Sequence, residues 1–226
     1  MSFVRLNYNG CDIKSLLGKP LNESTLKRLI GAPFDSVVSL SYQQQTSESP
    51  EGLYFDIRHR MYDLLIVGIT RTPAGPVLFL NDVYMSKAAP KGLGTIMLAR
   101  MVRTCLQLGF VEIKLLAAGG RLWSGYSGKR WNGYYSWARM GFDMELNPAD
   151  MKNYFGVDPH ATLISHFCKF PENLQKCSTV QDIMTLQGGL DWWKTCGSGW
   201  YMTFDCRNKN TASIKHFEKY AIGKNL

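Results

Sequence analysis

The sequence predicts an α/β protein built on a mixed, mainly antiparallel central sheet flanked by helices. Between Leu53 and Met85 it runs as strand-like segments, YFDIR, DLLIVGITR and PVLFLNDVYM, with a Thr72-Pro73-Ala74-Gly75 turn before the last. Residues 95–108 change to a helical period, with Met97, Leu98, Met101, Val102, Cys105 and Leu106 on one side and Arg100, Arg103 and Gln107 on the other. Residues 111–117 then alternate again, Val111, Ile113 and Leu115 against Glu112 and Lys114. Successive strands joined by short turns pair antiparallel, whereas strand, helix and strand in that order form a right-handed crossover with parallel neighbours.

The remaining elements are placed by caps and breakers. Residues 22–31 follow cap-type polar residues with Leu26, Leu29 and Ile30, a short amphipathic helix closed by Gly31. Residues 41–52, SYQQQTSESPEG, are the most polar stretch and read as a mobile loop ahead of the strands. After a glycine-rich loop at 118–128 comes a short helix over 133–140, then Gly141-Phe142. A helix over 179–187 carries Ser178 as its cap with Gln181 in the capping-box position. Residues 200–206 read as a strand and 213–222 as a final helix. With 226 residues the chain can bury one large core. We expect a single domain, its core at about 53–142 plus 200–226, carrying a C-terminal insertion at about 143–199.

Composition narrows the function classes. No apolar run approaches the roughly 20 residues of a membrane span, and the N-terminus lacks the order of a secretory signal, so a cytoplasmic, non-membrane protein is expected. The six cysteines form no C-x-x-C and the four histidines are scattered, so the thiols read as buried side chains and no metal site is expected. The formal net charge of +8 is localised. Residues 83–142 hold nine Lys or Arg against the single acid Glu112, while the rest of the chain holds 17 bases and 17 acids. A fold does not need that excess; a polyanionic ligand does.

Inside that stretch lies Lys87-Ala88-Ala89-Pro90-Lys91-Gly92-Leu93-Gly94-Thr95, between a strand and the amphipathic helix. A helix N-terminus presents unpaired N–H groups and the positive end of its dipole, and glycine lets an anion approach the backbone closely. The loop therefore suits a pyrophosphate. It is not a Walker loop, for no Gly-Lys-Ser/Thr follows, and it lacks the third glycine of G-x-G-x-x-G. Its place after antiparallel strands also disfavours a Rossmann unit.

Ala89-Pro90-Lys91-Gly92-Leu93-Gly94, followed by Asn132-Gly133-Tyr134-Tyr135-Ser136-Trp137-Ala138-Arg139-Met140-Gly141-Phe142, resembles the GNAT superfamily of N-acetyltransferases. That family has a Q/R-x-x-G-x-G/A loop at a helix N-terminus, then an Asn and a tyrosine-bearing helix ending in Gly-Phe. The resemblance covers roughly residues 53–142. It implies transfer of an acetyl or other acyl group from acetyl-CoA, or another acyl-CoA, to an amine. Backbone at Val83, Tyr84 and Met85 would pair with the pantetheine arm, and amides of Lys91, Gly92, Leu93, Gly94 and Thr95 would hold the pyrophosphate. Asn132 would bond the pantetheine or cap its helix.

Acyl transfer to an amine needs a base for the ammonium proton and an acid for the leaving thiolate. Asp82, on the strand before the loop, is the candidate base and Glu112 the runner-up; Tyr134 or Tyr135 is the candidate acid. Two departures stand out: Ala89 replaces the family's Gln or Arg, and Trp137 replaces its tyrosine. The acceptor stays open. Arg121, Lys129, Arg130 and Arg139 interleave with Trp123, Tyr126, Trp131, Tyr134, Tyr135 and Trp137, a pattern that serves either the coenzyme's 3′-phosphate and the core or a nucleic acid or aminoacyl-tRNA. The fold also serves nucleic-acid modifiers, non-catalytic binding proteins, toxins and effectors. Trp192, Trp193 and Lys194 form a second aromatic group, read as packing.

Overall fold

The computed structural model describes residues 3–5, 13–120, 131–146, 176–197 and 199–224. These belong to two units, one drawn from Met1–Leu115, Asp205–Thr211 and Ala221–Leu226, the other from Leu116–Phe204 and Ala212–Tyr220.

The first unit carries β1 (Phe3–Arg5), β2 (Val37–Gln43), β3 (Gly52–Arg58), β4 (Tyr62–Thr72), β5 (Gly75–Met85) and the pairing residues of β6 (Glu112–Leu116), side by side in that order. Strands β2 to β5 are antiparallel, while β1 pairs parallel with β2 and β6 parallel with β5. The mixed, mainly antiparallel α/β sheet expected from the sequence is thus present. Its buried side chains, including Leu53, Phe55, Ile57, Leu65, Val67, Ile69, Leu78 and Leu80, form the core.

The described residues of the same unit also form α1 (Ile13–Leu17), α2 (Glu23–Leu29) and α3 (Leu93–Leu108). Arg71 Nη1 donates to Leu16 O at 2.7 Å and so ties α1 to β4. The Asn22 carboxamide caps α2 by accepting from Thr25 N at 2.8 Å. Met97, Leu98, Met101, Val102 and Cys105 of α3 are buried, as their spacing requires. The helix begins at Leu93, two residues earlier than the sequence reading, and Gly109 closes it at φ +78.

One expectation is overturned in this unit. Ser41, Tyr42 and Gln43 are strand, not loop, and pair with Tyr54, Leu53 and Gly52. Their polarity reflects half-exposed side chains, whereas the ladder is made by the backbone; the loop is confined to residues 44–51.

The second unit holds α4 (Gly133–Arg139), α5 (Val180–Thr185), α6 (Gly189–Cys196) and most of β7 (Tyr201–Asp205) and α7 (Ala212–Ile222). Phe142, Phe204 and Phe217 meet edge to face at 5.3 and 6.1 Å. Trp192 and Trp193 of α6 are buried, in keeping with a packing role, and Trp193 Nε1 donates to Tyr134 O at 3.1 Å.

The cap of α5 differs from the sequence reading by one residue. Thr179, not Ser178, is the N-cap, and Asp182, not Gln181, closes the capping box. Gln181 is buried instead, its Nε2 donating to Ala138 O and Phe142 O, each at 2.7 Å. The Ser178 N–H holds the Asp182 carboxyl below the ordinary aspartate range, with further help from the Ser178 hydroxyl and Thr179. Replacing Asp182 by alanine should cost about 1 kcal/mol, a Tm loss of roughly 2–4 °C. Because the folded pKa is depressed, this stability is present above the unfolded value of about 4 and is lost as pH falls through the folded one. Thermal melts should therefore separate the two proteins at neutral pH and bring them together in acid.

Among the described residues no helix is long and apolar enough to cross a membrane.

Candidate functional site

The site begins at an irregularity in β5. This strand pairs with β4 as far as Met85 but with β6 only from Val77 to Leu80. Ile66 faces Asp82 while Val67 faces Leu80, so Asn81 is an extra residue, a β-bulge. A bulge bends and twists its strand, which accounts for the parallel pairing ending there. On the β6 side, the ladder covers Val77–Leu80 and the edge of β5 runs on beyond it through residues 81–85. Such an edge can pair with an extended, amide-bearing chain. Val83, Tyr84 and Met85, the residues assigned to that role, lie half-buried along it.

Asp82 stands directly after the bulge and is half-buried. Asn81 Nδ2 donates to its Oδ2 at 2.7 Å, and Ser49 Oγ donates to Asn81 Oδ1 at 2.5 Å. Burial raises the Tyr84 phenol above its ordinary range, and the nearby Asp82 charge adds to the effect.

The chain then turns into the glycine loop. Ser86 anchors it to the β3–β4 turn: its N–H donates to Met61 O at 3.0 Å and its hydroxyl to Arg60 O at 2.6 Å. The same Oγ accepts from Ala88 N at 3.1 Å, and Ser86 O accepts from Ala89 N at 3.1 Å. Ser86 therefore fixes a loop whose Ala89 has no polar side chain to do so, a role that the sequence reading missed.

At the helix start, Leu93 N donates to Pro90 O and Ile96 N to Gly92 O, both at 3.1 Å. The Leu93 amide is thus engaged. The amides of Lys91, Gly92, Gly94 and Thr95 have no backbone acceptor among the described residues. Gly92 takes φ +87, where a side chain is strained, and a Cβ on Gly94 would lie 3.4 Å from Met85 Cε. Lys87, Lys91, Arg100 and Arg103 are exposed, and the first turn of α3 contains no acid. Open amides, a 16-residue helix and the loop's Lys87 and Lys91 favour an anion here.

The runner-up base lies at the far end of the strands. Glu112 is in register with Val77, eight residues before Met85, which is about 26 Å of extended chain. Its carboxylate is engaged by Lys114 at 2.8 Å. The register removes Glu112 from the site.

The other candidates belong to the second unit. Asn132 is exposed and occupies the N-cap position of α4, its carbonyl accepting from Ser136 N at 2.9 Å while its side chain makes no capping bond. The buried Tyr134 donates its hydroxyl proton to Lys194 O, and burial raises its pKa. Tyr135 is half-buried, with Arg139 Cζ 5.3 Å and Lys194 Nζ 5.9 Å from its ring centroid. Arg139 also lies 5.2 Å from Tyr220, and Trp137 packs on Phe142 at 5.2 Å. Arg121, Trp123, Tyr126, Lys129 and Arg130 lie outside the described residues. Among the described residues of this unit, Trp200 and Tyr201 reach the surface, 5.9 Å apart and 45% and 38% exposed.

Among the described residues no group of three or more His, Cys, Asp and Glu is placed to hold a metal ion. Cys105, Cys196 and Cys206 are buried, and burial pushes the Cys105 thiol well above its ordinary range.

The geometry defines a mixed α/β protein whose bulged strand leads into an anion-receptive helix N-terminus. No protein-family model matches the chain, and no curated protein matches it.

Proposed function

We propose that the protein is an acyl-CoA-dependent N-acyltransferase of the GNAT type, transferring an acetyl or other acyl group to an amine. One observation carries the reading: β5 runs on beyond its ladder with β6, which covers Val77–Leu80, and continues, through a loop pinned by Ser86, into the open amides at the start of α3. A coenzyme A arm combines the two groups that such a surface fits, an amide-bearing chain and a pyrophosphate. Backbone at Val83, Tyr84 and Met85 would hold the arm. Gly92, Gly94 and Thr95 amides, with Lys91, would hold the pyrophosphate, and Lys87 adds positive charge.

When bound, the thioester supplies the acyl group. Asp82 accepts the proton of the incoming ammonium through the carboxylate oxygen that Asn81 leaves open. Of the two tyrosines expected as the acid, Tyr134 has its proton held on Lys194 O, which disfavours it for that role. The aromatic rings of α4 favour a core role over base stacking, since Tyr134 and Trp137 are packed and Tyr135 faces its own cations.

Thermal denaturation with added ligands tests the proposal. Acetyl-CoA at a hundredfold excess over Kd should stabilise the protein by about 2.7 kcal/mol. No shift at millimolar acetyl-CoA, with a salt-sensitive shift on adding RNA or DNA, would replace the transferase by a nucleic-acid-binding protein.

A further inference from the structure

A regular strand sends neighbouring side chains to opposite faces, so Asn81 and Asp82 should not meet. The bulge changes this, because its extra residue breaks the alternation and brings the Asn81 carboxamide to Asp82 Oδ2 at 2.7 Å. The other end of that carboxamide is taken up by the Ser49 hydroxyl, its oxygen accepting at 2.5 Å across 32 residues of sequence.

Ser49 is itself fixed. Its N–H donates to Thr46 Oγ1 at 3.0 Å, and its carbonyl accepts from Thr46 N at 2.8 Å. Next to it, Pro50 O accepts from the Tyr54 hydroxyl at 2.6 Å. The Tyr54 ring lies in the buried sheet, and burial pushes its phenol up to about 12, so the proton in that bond is retained. A polar loop is thereby pinned to the sheet at the position that orients the carboxamide.

We propose that Asn81 and Ser49 are positioning residues for Asp82, with loop 46–50 as the brace that aligns its carboxylate for proton transfer. The proposal rests on the transferase reading, in which Asp82 is the base. Asn81 engages Oδ2, and this directs Oδ1 to the acceptor. A flipped amide would set its oxygen against the carboxylate, and Ser49, by donating to that oxygen, holds the carboxamide in the orientation whose NH2 faces Asp82.

Two substitutions at Ser49 separate this role from a packing role. Ser49→Thr keeps the hydroxyl, whereas Ser49→Val is nearly the same shape as threonine without it. Acetyl-CoA turnover is followed by thiol release, with spermidine, a lysine-bearing peptide and a peptide with a free α-amine as acceptors. Asn81→Ala and Ser49→Val should lower kcat roughly 10–100-fold, with KM for acetyl-CoA unchanged, and Ser49→Thr should retain most of the activity. Wild-type kcat in both Asn81→Ala and Ser49→Val, or equal loss in Ser49→Thr and Ser49→Val, overturns the proposal. Acetyl-CoA binding without turnover on any of the three amines overturns it too, because there is then no base to position. Failure of acetyl-CoA to bind the wild-type chain overturns the transferase reading itself. Melting temperatures of the variants near that of the wild type exclude unfolding as the cause of a loss.

Discussion

Asp82→Asn should lower kcat by about 10²–10⁴-fold while leaving acetyl-CoA binding intact, the loss expected on removing a general base. Asparagine preserves the size of the side chain and an oxygen to receive the Asn81 amide, so the bulge and the brace can persist. What it removes is the capacity to take up the ammonium proton. Steady-state kinetics and calorimetric titration of acetyl-CoA check the two halves of this result separately. An Asp82→Asn protein with wild-type kcat would remove Asp82 from the chemistry, and one that no longer binds acetyl-CoA would make it a binding residue. Glu112→Gln provides the contrast: its ion pair with Lys114 at the far end of β6 predicts little effect on turnover.

The largest loss of stability is expected at Gly199. A Cβ there would sit 1.5 Å from Ala117 O, 2.7 Å from Ala117 C and 3.0 Å from Tyr134 Cβ, so backbone must move to admit a single methyl group. The same approach is fixed by hydrogen bonds, Gly199 N to Gly119 O at 2.8 Å and Ala117 N to Trp200 O at 2.9 Å. Gly199→Ala should cost about 3 kcal/mol, which for a chain of this size lowers Tm by roughly 6–12 °C. Thermal melts by circular dichroism read this directly. An unchanged Tm would mean that the close approach of Gly199 to Ala117 does not hold in solution.

The parts of the fold that were legible in the sequence are those with strong periodicity or apolar runs. α3 and β6 show a helical stripe and an alternation, while β3, β4 and β5 stand out as apolar runs because consecutive residues on both faces are buried. β2 was hidden because Ser41, Tyr42 and Gln43 pair through their backbones while their side chains stay half-exposed. The α5 cap was off by one because Ser178 and Thr179 are both capping types, and what selects between them is the reach of Asp182 back to the Thr179 N–H at 2.9 Å. α6 opens on Gly188 at φ +78 and Gly189, a pair that reads as a turn.

The candidate site was partly legible for the same physical reason. The loop announced itself through glycines, flanking cations and a helix behind it, all local features. Ser86, Asn81 and Ser49 depend on contacts distant in sequence, or on a bulge that alternation cannot foresee, and nothing in their spacing points to them. The engaged Leu93 amide and the open Gly94 and Thr95 amides likewise depend on where the first turn of α3 closes, which residue types alone do not fix.

The central claim is that the α3 N-terminus receives the pyrophosphate of coenzyme A, and amide chemical shifts report on it residue by residue. Titrating an isotope-labelled chain with coenzyme A should move the Gly92, Gly94 and Thr95 amide signals most, followed by Val83, Tyr84 and Met85, with Glu112 and Lys114 nearly still. Coenzyme A that leaves the Gly92, Gly94 and Thr95 signals in place, whether by failing to bind or by binding elsewhere, would contradict the account.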